Sequence, residues 1–291
     1  MKPNGNNVKI AIQKDGKLAE DSSQLLKQAG FIFEAGKGKL LASCENFPLD
    51  ILFVRDDDIP EYVRDGVCDL GIVGQDILRQ GNFQLTTITE LGFGKCRLSI
   101  AAPKESGIAD VRELEGKTIA TSFPAILAEY LKANAIQAHV ITISGSVEIT
   151  PALGVADAIC DLVSTGSTLK IHELVEITTI FKSEAVLVGQ TKSSRNERKA
   201  QLIENFTRRI RAVLTAQKTK YILLNAPKDK VSEIAQAIPG VKSPTVLPLY
   251  DPDWVSIHSV VSEDVFWETV DKLKSLGAQE ILVLPIEKMI L

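Results

Sequence analysis

The chain holds few residues that could staple it or anchor it. Its four cysteines lie at 44, 68, 96 and 160, and no two have C-x-x-C spacing, which argues against a zinc ribbon or a thioredoxin-type motif. Lone cysteines in apolar runs pack as small hydrophobes. Only three histidines occur, His139, His172 and His258, scattered through 291 residues, so a Ser-His-Asp arrangement has no support beyond composition. No apolar run approaches the roughly 18 residues that span a bilayer. The polar start, Met1 to Asn7, runs straight into Val8-Lys9-Ile10-Ala11-Ile12 and lacks the apolar core of a secretory signal. With the unpaired cysteines, this predicts a cytoplasmic protein away from the membrane. An excess of one charge is also missing. Lys and Arg number 33 against 37 Asp and Glu, a net −4, so the surface as a whole has no footprint for nucleic acid. One stretch is locally basic: Lys192, Arg195, Arg198, Lys199, Arg208, Arg209, Arg211, Lys218 and Lys220, against Glu197 and Glu204. It reads as a solvated helix face.

What is present is an ordinary globular composition, 45% apolar and 24% charged, long enough for two or three domains and for a large core. Val8–Ile12 reads as a strand. Leu18 to Ala29 reads as a helix ended by Gly30. After a short strand at Ile51–Val54, Asp58-Ile59-Pro60-Glu61 has the form of a capping box with proline in the first turn. Leu70–Val73 is a continuous apolar run, as in a parallel sheet buried on both faces, and Asp76-Ile77-Leu78 opens another helix. A second α/β unit follows. It has strands at Cys96–Ala102, Lys117–Ala120, His139–Ile143 and Ala158–Val163, a short helix capped by Asp110, and a helix from Pro124 through Lys132. Residues 184–190 form one more strand. The apolar stripe Leu202, Ile203, Phe206, Ile210, Val213 and Leu214 then marks an amphipathic helix. Beyond Lys220 the order strand, helix, strand, strand, helix, strand predicts a small ferredoxin-like module.

The most informative stretch is Asp157-Ala158-Ile159-Cys160-Asp161-Leu162-Val163-Ser164-Thr165-Gly166-Ser167-Thr168-Leu169. It reads as strand, hydroxyl- and glycine-rich loop, helix. Such a loop can aim several backbone N–H groups at one anion, and Gly166 permits positive φ. Asp157 and Asp161 could accept from sugar hydroxyls or reach a metal, directly or through water. The same pattern also fits a plain strand-to-helix turn with a Ser or Thr N-cap. It is not a Walker A loop, because the lysine of GK[ST] is missing, and no strand-linked G-x-G-x-x-G occurs. Arg55, in Arg55-Asp56-Asp57-Asp58, could clamp a phosphate, while Asp58 caps the following helix. Gln13-Lys14-Asp15-Gly16-Lys17-Leu18 and Gly94-Lys95-Cys96-Arg97-Leu98 put cations where strand meets loop, as in anion sites of α/β sheets; each also fits ordinary surface charge. Glu148, in Ser144-Gly145-Ser146-Val147-Glu148, follows a strand and could accept from a ligand or face solvent.

Together these segments resemble the long form of the ATP phosphoribosyltransferase family. The carriers run the length of the chain: 11–18, 54–60, 69–74, 96–99, 145–148, 156–169 and 282–289. The resemblance implies two periplasmic-binding-protein-like α/β lobes around a cleft, residues 1–98 with 184–217 and residues 99–183, plus a C-terminal ACT-like regulatory domain, 218–291. It implies transfer of the phosphoribosyl group of phosphoribosyl pyrophosphate (PRPP) to N1 of ATP with Mg²⁺, feedback inhibition by histidine through quaternary change, and homo-oligomers that are dimers or hexamers. Ser164, Thr165, Gly166, Ser167 and Thr168 then hold the 5-phosphate of PRPP. Asp157 and Asp161 face the ribose hydroxyls and are the candidate metal ligands, directly or through water. Lys14, Lys17, Arg55 and Arg97 face polyphosphate, and Asp76 and Glu148 orient adenine or ribose. Lys17 stands where many relatives have arginine and lacks the bidentate fork. Asn225, Val241, Thr245, Val260 and Glu280 fall near the histidine pocket. Two rivals are a non-catalytic two-lobed binding protein and a purine or orotate phosphoribosyltransferase; the latter usually has two adjacent acids before its loop, whereas Asp157 and Asp161 are separated.

Overall fold

The computed structural model describes residues 7–34, 36, 38–190, 197–238 and 243–290. Residues 8–90 lay down β1 (Val8–Gln13), β2 (Leu41–Ser43), β3 (Leu49–Val54), β4 (Leu70–Gly74) and β5 (Leu85–Glu90), with α1 (Lys17–Gln28), α2 (Ile59–Arg64) and α3 (Gln75–Gln80) between them. Next come β6 (Cys96–Pro103), β7 (Thr118–Thr121), α4 (Pro124–Ala133), β8 (His139–Thr142), β9 (Ala158–Val163), α5 (Ser167–Ile171) and β10 (Leu174–Ser183). β11 (Ala185–Gln190) and α6 (Glu197–Gln217) follow. The chain closes with β12 (Thr219–Pro227), α7 (Val231–Ala237), β13 (Thr245–Pro248), β14 (Trp254–Ser262), α8 (Glu263–Ser275) and β15 (Gln279–Pro285). Two compact units result, one from 1–24 and 31–203, the other from 25–30 and 204–291.

The first unit contains two mixed sheets, ordered β2-β3-β1-β4-β11-β5 and β10-β6-β9-β7-β8. β1 is parallel to both β3 and β4, and its Val8, Ile10, Ala11 and Ile12 are fully buried, as expected of a strand covered on both faces. β4 is parallel only on its β1 side; on the other it meets β11 antiparallel. The chain leaves the first sheet after β5, builds the second, and returns as β11 between β4 and β5. That double crossing is the periplasmic-binding-protein-like arrangement. In the second sheet β9 is parallel to β7 and β7 to β8, whereas β6 is antiparallel to β9 and β10. Ile77 of α3 packs against the apolar cores of both sheets.

Three strands escape the sequence reading: β2, β5 and β10. Each is the edge of its sheet. β2 is only three residues long, and β10 carries apolar residues whose alternation two register shifts interrupt. β5 reads Leu-Thr-Thr-Ile-Thr-Glu and has no buried residue. The expected capping box at Asp58 does not form. Asp58 has φ −83° and ψ −22° and makes no side-chain cap, because it is already the last residue of a 3₁₀ turn, Asp56–Asp58. An N-cap needs extended backbone for its side chain to reach back. The box appears instead at Asp110 and Glu113, closing a 3₁₀ turn at Val111–Leu114.

The second unit contains a four-stranded sheet, β13-β14-β12-β15, with every pair antiparallel. With α7 and α8 this is the ferredoxin-like, ACT-like topology. Ile222, Leu224 and Ala226 of β12 and Val255, Ile257 and Val261 of β14 point to its core, and the alternate residues form the other face. Val241, Lys192 and Arg195 lie outside the described residues.

Candidate active site

β9 is buried along Ala158–Cys160 and ends at Val163, so the segment after it leaves the sheet at a fixed point. Gly166 stands at the N-cap of α5 with φ 81° and ψ 8°, a left-handed conformation that glycine adopts freely. The expected alternative, a Ser or Thr N-cap, is not realised: no side chain caps α5. The first N–H groups of a helix have no partner within it, so the turn presents donors outward. A cavity of about 300 Å³ lies there, lined by Glu148, Asp161 and residues 164–169 among others. The hydroxyls of Thr165 and Ser167 lie 3.1 Å apart. Burial pushes the Asp161 carboxyl up, the Leu162 N–H opposes this, and the charge of Glu148 adds to the rise.

Asp157 is not brought to this turn. It precedes β9, and six strand residues at about 3.3 Å each separate it from the loop. Its Oδ2 accepts the Thr118 N–H at 2.8 Å, and it does not line the cavity. Asp157 and Asp161 are four positions apart on extended chain, about 13 Å, too far to share one ion. Among the described residues no group of three or more His, Cys, Asp or Glu side chains is placed to hold a metal.

Arg97 lies beside the loop. It is the second residue of β6, opposite Val163, and its Nη1 donates to the Ser164 carbonyl at 3.2 Å. A second cavity of about 390 Å³ is lined by Gln75, Lys95, Cys96, Arg97, Ser164, Lys182, Ser183 and Glu184. It shares Ser164 with the first cavity and reaches Gln75 at the start of α3. Asp76, buried, accepts the Ser183 hydroxyl at 2.6 Å, and the same hydroxyl accepts the Asp76 N–H at 3.1 Å. Gly74 makes room for this, because a Cβ there would collide with the Asp76 carboxylate. Burial, then the Asp76 charge, pushes the Cys96 thiol up. Cys44, Cys68 and Cys160 are pushed up to about 12, chiefly by burial, so these thiols stay protonated and inert.

Lys14 and Arg55 follow the carboxyl ends of the parallel strands β1 and β3, with the Lys14 N–H bonded to the Val54 carbonyl at 2.8 Å. Their side chains line neither cavity. Lys17 is paired with Asp21 at 3.0 Å and its side chain is 78% exposed. Burial and the charge of Asp56 raise the Asp57 carboxyl, Arg55 opposes this, and Asp58 and Asp76 add smaller upward pushes, so this strand end and Asp76 share one electrostatic field. Gln75, Lys182, Ser183 and Glu184 were not found from sequence. Lys182 and Ser183 end β10, and without that edge strand they had no place on a sheet. In the second unit, Asn225 Nδ2 donates to Glu280 Oε2 at 2.5 Å. Thr245 pairs with His258, and Val260 with Tyr221. Paired positions share a face, so Asn225, Thr245 and Val260 all lie on the face away from the core.

A family model described as ATP phosphoribosyltransferase matches residues 55–212, and one described as the HisG C-terminal domain matches 216–288. The ATP phosphoribosyltransferase of Cytophaga hutchinsonii is 50% identical over 97% of this chain and 98% of its own. That of Parabacteroides distasonis is 47% identical over 97% and 99%. The chain belongs to the ATP phosphoribosyltransferase family. The ATP phosphoribosyl transferase (HisG:HisZ) complex from Thermotoga maritima aligns with TM-score 0.60 and 30% identity over 70% of this chain and 98% of the other. Full-length identity together with the separate C-terminal match makes this the long form, a pentosyl transferase at the first step of histidine biosynthesis. No helix among the described residues is long and apolar enough to cross a membrane.

Proposed function

We propose that the cleft of the first unit joins the phosphoribosyl group of PRPP to N1 of ATP's adenine, releasing pyrophosphate, with the turn 164–168 holding the 5-phosphate. The observation that carries this is the uncapped, glycine-led start of α5 facing a cavity lined by Asp161 and Glu148. Adenine N1 arrives without a proton, so no strong general base is needed, in keeping with three scattered histidines. The barrier lies in parting a polyanionic leaving group from a cation-like sugar. Positioning and preorganised charge lower it. Asp161 faces the ribose hydroxyls, and Asp76 and Glu148 orient adenine or ribose. Lys95 and Lys182, on the cavity beside the loop, join Lys14, Lys17 and Arg55 as cations for polyphosphate.

Mg²⁺ in such a site is held mainly by substrate phosphates and one or two carboxylates. The neighbouring carboxylates of Asp161 and Glu148 fit that donor set; Asp157 lies outside the cavity they line. When bound, the ion neutralises charge on the departing pyrophosphate. We read residues 1–98 with 184–217 and 99–183 as the two catalytic lobes, and 218–291 as the domain that takes histidine, near Asn225 and Glu280, in a dimer or hexamer. Initial rates with PRPP and Mg²⁺, using ATP, hypoxanthine or orotate as acceptor, test the reaction. Phosphoribosyl-ATP, identified by mass, is the expected product, and turnover of hypoxanthine or orotate without ATP overturns the reading.

A further inference from the structure

Glu176, on β10, appears in none of the motifs above, yet it is the most heavily bonded carboxylate near the loop. Its Oε1 accepts from Arg97 Nε at 2.7 Å, Ser99 Oγ at 2.8 Å and Thr179 Oγ1 at 3.1 Å, and its Oε2 accepts from Arg97 Nη2 at 2.6 Å. The Ser99 and Thr179 hydroxyls also meet, at 3.2 Å. In a regular strand residues 176 and 179 point to opposite faces. Here two register shifts, between Glu176 and Thr178 and between Thr179 and Phe181, interrupt the pairing with β6. Such bulges re-aim side chains and are common beside active sites. The first of them, which lies between Glu176 and Thr179, brings both side chains to the face of Ser99.

The geometry has a direct consequence for the loop. A guanidinium is planar, and two parallel bonds to one carboxylate fix its plane. One of the N–H groups left over, on Nη1, then points at the Ser164 carbonyl, 3.2 Å away. The Arg97 charge is meanwhile neutralised by its partner, so Arg97 acts as a brace more than as a cation for polyphosphate. We propose that Glu176 is a positioning residue: through Arg97 it holds the first carbonyl of the turn 164–168 and keeps the turn's N–H groups aimed at the donor's terminal phosphate. This rests on reading that turn as the PRPP phosphate site.

The test uses the full-length protein, with steady-state rates for PRPP and ATP and with Gly166→Val as a control on the loop. Glu176→Gln preserves shape but loses the charge that locks the guanidinium. It is expected to raise the PRPP KM about tenfold and leave the ATP KM within twofold. Thr179→Val removes one of the four bonds, and about a threefold rise in the same constant is expected; it decides the matter if Glu176→Gln does not fold. Adding Arg97→Lys to Glu176→Gln should cause little further loss, since both break one brace. A purely structural ion pair would lower Tm or the active fraction and leave the PRPP KM alone. If Gly166→Val raises the PRPP KM and neither Glu176→Gln nor Thr179→Val does, the inference falls while the loop reading stands. If both KM values rise together in Glu176→Gln, the inference falls as well. If Gly166→Val itself has no effect, the loop reading falls and takes the inference with it.

Discussion

Replacing Gly166 by valine tests the loop with the fewest side effects. An added Cβ would meet only Val163 Cγ1, at 3.9 Å, an ordinary contact, so crowding contributes almost nothing. The cost is conformational. At φ 81° an L-residue is disfavoured by about 1–2 kcal/mol, and a β-branched residue is a genuine outlier there. The chain can relieve that strain by turning the 165–166 region over, which removes N–H groups from the anion, or can keep the turn and lose stability. Relief predicts a PRPP KM raised about 5- to 30-fold, because about 1.4 kcal/mol corresponds to tenfold. Retention predicts a Tm lower by a few degrees in the PRPP-free protein. Asn tolerates the left-handed region, so Gly166→Asn should lie near the parent and Gly166→Ala between the two. Initial rates over PRPP at saturating ATP, with thermal melts of the same samples, measure both quantities. If Gly166→Val matches the parent in KM and in Tm, the turn carries neither the strain nor the phosphate, and the reasoning is wrong.

Asp161→Asn should lower activity yet raise Tm near neutral pH. The folded carboxyl is raised by burial and by Glu148, so ionisation destabilises the folded state above that pKa, and the neutral amide escapes the penalty; a lower Tm would contradict this. Acid has the opposite linkage at Glu176, which Arg97 and then the neighbouring hydroxyls hold down at about 2 from 4.5, against burial. Its contribution is present above pH 4.5 and lost as pH falls toward about 2, so melts across that window should be flatter in Glu176→Gln than in the parent. Gly74→Ala should displace the Asp76 carboxylate from Ser183 and reduce kcat/KM at least tenfold; unchanged rates would remove Asp76 from the site. Asn225→Ala should raise the histidine concentration for half-inhibition about tenfold, and an unshifted inhibition curve would place the effector elsewhere.

Sequence alone determined the central strands of the first unit and the strand–loop–helix order around Ser164 to Thr168. Val8–Ile12 and Ala158–Val163 are apolar apart from Lys9 and Asp161, and Leu70–Val73 is a continuous apolar run, because central strands are covered on both sides. The turn Ser164 to Thr168 was legible as a turn because hydroxyls and a glycine follow a buried apolar run and precede a helix. Tertiary structure decided the rest. Two register shifts break the alternation of apolar residues in β10, so that strand stayed hidden, and with it Glu176, Lys182 and Ser183. The separation of Asp157 from Asp161 was equally invisible. Four positions look close in a sequence, but extended chain spends more than 3 Å on each, and a backbone N–H of the neighbouring strand had already taken one of the two carboxylates.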